Sequence, residues 1–111
     1  MARFQYVILS RSKPGHEEDY IRWYSERHLA DVCRIEGVVS GKLHRLALQK
    51  VYDLDAPQWT LMTIYELEGD DPQVVINAIL AVSGTDVMPL SDALDKSGMI
   101  QAVGRQIAAV G

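Results

Sequence analysis

Aromatic and branched side chains crowd Arg3–Ser10 (RFQYVILS), and the Ser12-Lys13-Pro14-Gly15 punctuation closes the run, so this segment predicts a strand. After Pro14, the acidic cluster Glu17, Glu18 and Asp19 suits a helix N-terminus, and Tyr20, Trp23 or Tyr24, Leu29 and Val32 recur at roughly helical spacing. A helix is expected from Pro14 to about Ile35, with Gly37 as its stop. Val38–Val51 alternates loosely and reads as a second strand, Tyr52–Gln58 with Asp53, Asp55 and Pro57 as a turn, and Trp59–Leu67 (WTLMTIYEL) as a third strand. Asp71-Pro72 sets an N-cap residue before proline at the first helical position, and Val75, Ile76, Ile79 and Leu80 form an apolar stripe closed by Gly84. In Thr85–Ser97, Met88-Pro89-Leu90 reads as a crossing loop and Ser91–Lys96 as a short helical turn, a segment that could serve as a lid or a swapped arm. Met99–Val110 has helix-compatible alanines, but its glycines and β-branched residues favour a strand.

The order is therefore βαββαβ. This split βαβ pattern is the ferredoxin-like α+β arrangement: a four-stranded antiparallel sheet with two helices on one face. Neither a linker nor an internal repeat beyond that rhythm interrupts residues 1–111, so one domain is expected. The first strand sets Phe4, Tyr6 and Ile8 against Val7 and Leu9; the third sets Trp59, Leu61 and Tyr65 against Met62 and Ile64. Both faces are apolar, yet two helices cover only one. The other face would expose a patch that monomers rarely tolerate, so a homodimer packed sheet to sheet is expected, burying on the order of 1,600 Å² or more.

Composition narrows the partners. Of 111 residues, 48% are hydrophobic and 23% charged, which is ordinary for a globular chain, and the net charge of −4 argues against a nucleic-acid or acidic-lipid footprint. No apolar run approaches the ~20 residues that span a bilayer, and the single cysteine, Cys33, forms no internal disulfide; a cytoplasmic protein is expected.

Trp23-Tyr24-Ser25-Glu26-Arg27-His28-Leu29-Ala30-Asp31-Val32 holds the densest candidate chemistry. Tyr24 and His28 are four apart and His28 and Asp31 three apart, so each pair shares a helix face. If that face looks at the sheet, His28 has a phenol on one side and a carboxylate to fix its tautomer on the other, the layout of a general acid or base. The alternative is a packing or capping histidine. Tyr6, Tyr65 and Trp59 either wall a cleft or belong to the core, Tyr20 and Trp23 suit packing as well as ligand contact, and His44 on the second strand is a polar wall residue or simply solvated. His16, in the acidic first turn, takes no role. The three histidines lack metal-ligand spacing, and phosphate-binding glycine loops and a Gly-x-Ser-x-Gly elbow are missing; neither metal nor cofactor is expected.

The run Trp23-Tyr24…His28-Leu29…Asp31-Val32…Gly37-Val38, with the βαββαβ order and two-faced sheet, resembles the EthD-like proteins of the dimeric α+β barrel superfamily. The motif histidine and tryptophan carry over to His28 and Trp23; where the pattern has an acidic residue before the histidine and a proline after it, this chain has Arg27 and Ala30. The superfamily includes cofactor-independent monooxygenases of aromatic polyketides, polyketide cyclases, muconolactone isomerases, haem-dependent members and EthD-type dehydratases, and no haem-ligand pattern stands out in this chain. The resemblance thus implies a cofactor-free dehydratase, cyclase or isomerase acting on a small apolar carbonyl or phenolic compound. His28 would move the proton, Asp31 would orient it, and Tyr24, Tyr6 or Tyr65 would donate to the developing oxyanion, a contact worth about 3–4 kcal/mol. Trp23, Trp59 and His44 would line the substrate. A monooxygenase of aromatic substrates and a non-catalytic binding dimer are the alternatives.

Overall fold

The computed structural model describes residues 2–55 and 58–111. Its elements run β1 (Arg3–Ser12), α1 (Glu17–Trp23), a π-helical turn (Tyr24–His28), α2 (Leu29–Cys33), β2 (Val38–Arg45), β3 (Leu61–Glu68), α3 (Pro72–Val82) and β4 (Leu94–Gly104). The sheet order is β2-β3-β1-β4 with every neighbouring pair antiparallel, so the ferredoxin-like arrangement expected from the pattern is the one observed.

Alternation builds the two central strands. Leu61, Thr63, Tyr65 and Leu67 of β3 are buried while their neighbours are half-buried, and β1 buries Tyr6, Ile8, Ser10 and Ser12 in the same rhythm. The register sets Tyr6 opposite Tyr65 and Ile8 opposite Thr63, which merges the rows into one floor beneath the helices. On the other face lie Val7, Leu9, Met62, Ile64, Ile100 and Ala102, with no helix over them among the described residues. Both faces are apolar at their centre, as the side-chain pattern indicated.

Helix ends follow local chemistry. Asp71 accepts a hydrogen bond from the Gln73 N–H at 2.9 Å, and Pro72 occupies the first turn of α3, where its missing N–H costs nothing. Gly37 turns the chain from α2 into β2 at φ 95°, and a Cβ there would lie 2.6 Å from Val75 Cγ2, so conformation and space both demand glycine. Val75 and Ile79 of the expected α3 stripe are buried, whereas Leu80 is exposed.

Several expected boundaries move. The first helix starts at Glu17, because Lys13–His16 closes a turn first, and it ends at Cys33. β2 stops at Arg45 rather than Val51, and β3 starts at Leu61 rather than Trp59. Between them Gln49 replaces the ladder: its Oε1 accepts from the N–H groups of Gln58 and Trp59 and its Nε2 donates to the Trp59 carbonyl. Within the expected Tyr52–Gln58 turn, Asp53 has φ 70° and Val51 bridges Leu54; Ala56 and Pro57 lie outside the described residues. The helical turn expected over Ser91–Lys96 is instead a turn at Ser91–Leu94 that feeds straight into β4. That strand ends at Gly104, opposite Gln5 near the start of β1, instead of reaching Val110.

Candidate active site

A cavity of ≈ 370 Å³ opens between the helices and the inner face of the sheet. The π-helical turn shapes one wall. There the Leu29 N–H bonds the Tyr24 carbonyl, five residues back, and this local widening brings side chains five apart over one another. Trp23 and His28 consequently stack at 4.5 Å between ring centroids with 23° between planes, while Tyr24 meets the imidazole edge-on at 4.8 Å. A regular α-helix would turn positions 23 and 28 well apart.

Aromatic rings, rather than a carboxylate, hold His28. Its Nδ1 is buried and makes no hydrogen bond among the described residues, and the residue lines the cavity. Burial pushes its pKa down to about 4 against a smaller upward pull from Asp31, so the ring is neutral at pH 7. Asp31 does not reach it. Both its oxygens are occupied, by Arg27 Nε at 2.8 Å and Arg34 Nη1 at 2.7 Å, and the expected role of Asp31 as orienter of His28 is corrected on that ground. The two arginines reach it from three and four positions away on the same helix, and they take the carboxylate that spacing alone assigned to His28.

The floor opposite is phenolic. Tyr24 and Tyr65 hydroxyls lie 3.2 Å apart, and either can donate. Two phenols share one such bond, so one O–H is left over, and the Thr63 hydroxyl beside Tyr24 meets no partner in good geometry. Burial raises the pKa of both phenols, keeping them protonated donors at neutral pH. Tyr6 donates to Gln101 Oε1 at 3.0 Å and is pushed up to about 12 by burial; Tyr20 donates to Ser10 at 2.8 Å. Thus Tyr6, Trp23, Tyr24, His28 and Tyr65 come together, and Tyr20 joins them at the wall.

Two expected wall residues do not. His44 pairs with Met62 and projects from the uncovered face, because β2 carries Gly41 and Leu43 inward. Trp59 precedes β3, donates its Nε1–H to the Gly98 carbonyl, and borders a separate, more open depression of ≈ 780 Å³ under Leu46–Gln49. The arginines around that depression are paired, Arg11 with Asp95 of the same lining and Arg45 with Glu18.

The segment after α3 roofs the cavity. Met88 is fully buried, Gly84 N–H bonds the Met88 carbonyl, and Pro89 carbonyl accepts the Trp23 Nε1–H at 3.3 Å, which brings Leu90 to the cavity wall. This segment folds back on its own chain. Sequence reasoning also missed Ser83, Lys96, Met99 and Gln101, all lining residues. Ser83 caps α3, and a local irregularity in β4 decides the orientation of Lys96, Met99 and Gln101, of which hydrophobic alternation carries no signal.

No helix among the described residues is long and apolar enough to cross a membrane, and no group of three His, Cys, Asp or Glu among them could hold a metal ion. No family model matches the sequence, and no curated protein matches it either. Solved structures do. An EthD family protein from Bacillus halodurans C-125 matches with TM-score 0.62 at 17% identity, covering 95% of this chain and 99% of that one. A provisionally assigned monooxygenase from Shewanella loihica PV-4 matches with TM-score 0.63 at 14% identity, covering 97% of each chain. An EthD-like protein from Ralstonia eutropha JMP134 matches with TM-score 0.61 at 12% identity, covering 97% of this chain and 95% of the other. At these identities the likeness is one of fold, and the chain has the ferredoxin-like α+β fold that the EthD-type structures share from end to end.

Proposed function

We propose that the protein is a small-molecule acid–base enzyme of the dehydratase, cyclase or isomerase type, acting on a compact, largely apolar carbonyl or phenolic compound without a cofactor. One observation carries this reading: the His28 imidazole and a buried pair of phenols, Tyr24 and Tyr65, line the same largely apolar cavity, with Tyr24 against the edge of the imidazole. The base removes a proton beside the carbonyl: the C–H bond breaks, the new N–H bond forms on His28, and the electron pair moves to the carbonyl oxygen. The spare O–H of Tyr24 or Tyr65 donates to that oxygen as charge builds. A pKa of about 4 slows the first abstraction and favours the second transfer, in which the imidazolium gives its proton to the enolate carbon or to a departing hydroxyl. Trp23 and Tyr6 supply the walls.

The uncovered sheet face completes the reading. Val7, Leu9, Met62 and Ile64 at its centre support a homodimer packed sheet to sheet, in a cytoplasm that keeps Cys33 reduced. The fold shared with the Shewanella protein favours a second reaction for the same cavity, in which the carbanion left by His28 meets molecular oxygen. Carbonyl and phenolic compounds that shift the Trp23 indole and His28 imidazole NMR signals would be taken into turnover and oxygen-uptake assays. Turnover should fall about 10²–10⁴-fold in His28→Ala, the usual worth of a positioned acid–base group. Undiminished turnover in that variant would defeat the proposal, and oxygen consumption matched to product would select the oxygenase. A histidine indifferent to every ligand would leave a structural dimer.

A further inference from the structure

We infer that the cavity selects an organic monoanion, the deprotonated form of an acidic enol, phenol or carboxylic acid on a small apolar body, and that Lys96 is the specificity-determining residue. The inference rests on the cavity being the binding site and adds the charge state of what it binds.

Strand β4 changes register in its middle. Leu94 lies opposite Ser12 and Asp95 opposite Arg11, whereas Ile100 already lies opposite Leu9, so four residues of β4 span the place where β1 spends one. Gly98, at φ 70°, sits in this bulge. An odd number of extra residues in a strand reverses which side chains face inward, and this stretch lets Lys96 and Met99 within it and Gln101 after it all border the cavity. Asp95 is turned to the opposite face, where it binds Arg11 and accepts from Ser97. Lys96 has no hydrogen bond or ion pair among the described residues.

Charge around the cavity is one-sided. None of its described lining residues is acidic; its serines and Gln101 are uncharged, its four tyrosines are protonated and His28 is neutral. Lys96 is the one formal charge among them. It stands in a chain of net charge −4, whose overall field would repel an anion unless a local cation reversed it. A cation at the mouth, phenolic donors at the floor and apolar walls between match a ligand with an apolar body and a delocalised negative oxygen.

Two probes of one shape separate the terms: 4-hydroxycoumarin, an acidic enol that is ionised at pH 7, and its uncharged parent coumarin. Calorimetry on the full chain should show the anion binding about tenfold or more tighter than coumarin, the worth of one charge-assisted contact. Lys96→Met should abolish that preference while leaving coumarin affinity unchanged, Lys96→Arg should keep it, and raised salt should weaken only the anion. Equal affinity for the two probes, with His28 and Trp23 signals shifting for both, would overturn the role of Lys96 and leave the cavity reading standing. So would a preference that survives Lys96→Met. Binding of neither probe would overturn the anion-selective site and the cavity reading together.

Discussion

His28→Phe tests the buried histidine through stability before any substrate is known. In the folded chain burial lowers the imidazole pKa to about 4, whereas an unfolded chain returns it to about 6.5. Below pH 6.5 the unfolded state therefore binds more protons than the folded one, so stability falls as pH falls, and the loss is complete only below about pH 4. The full shift is worth about 3 kcal/mol, and at pH 5 about 2 kcal/mol of it has been lost. Phenylalanine keeps the stack on Trp23, removes the unpartnered Nδ1 and has nothing to protonate. Urea unfolding at pH 7 and pH 5, at one protein concentration, should show the wild type losing about 2 kcal/mol more than the variant. His16 and His44 are common to both proteins and cancel in the difference. Parallel losses would mean that His28 is solvated, and the case for a neutral base in a dry wall would collapse. The variant should also be at least as stable as the wild type at pH 7, with binding or turnover sacrificed, as happens where a buried polar group is kept for function.

Asp31→Asn should cost about 1–3 kcal/mol by weakening two charge-assisted bonds, while the imidazole of His28, relieved of an upward pull, titrates slightly lower; NMR titration checks the second point, and a large rise would restore Asp31 as a direct partner. Gly41→Ala places a Cβ 2.9 Å from Cys33 Sγ and from two atoms of the Tyr65 ring, so it should destabilise by about 1–3 kcal/mol and disturb the phenol pair. Gly104→Ala, with nothing within 4 Å, is its silent control in the same urea assay. Ile64→Lys puts a charge at the centre of the uncovered sheet face, so if the proposed sheet-to-sheet dimer forms, sedimentation should show the wild type at twice the mass of the variant; equal masses would remove that face from the assembly.

How much of this was legible in the sequence depends on which force decides each feature. The sheet and α3 were, because alternation in WTLMTIYEL and the Asp71-Pro72 cap are local signals that burial reinforces. The ends of β2 and β4 were not. Val38–Val51 alternates past Arg45, but a strand persists only where a neighbour supplies its hydrogen bonds, and Gln49 satisfies that role for Gln58 and Trp59 with a side chain.

The site divides along the same line. Pairing Tyr24 with His28 needs only a four-residue spacing, and the structure keeps it. Stacking Trp23 on His28 needs the π-helical turn, which no propensity in Tyr24–His28 announces. Asp31 shows the converse. A spacing of three from His28 is no better than its spacings to Arg27 and Arg34, and with three suitors for one buried carboxylate the two cations win, since a permanent charge gains more from the pair than a neutral ring does. That outcome bears on the chemistry. A carboxylate at Nδ1 would hold the imidazolium and raise its pKa; without one, the ring stays neutral and the proton it takes up stays mobile. The paired arginines thus do more than tie the helix: by drawing Asp31 away they leave His28 a neutral, weaker base whose conjugate acid gives its proton up readily.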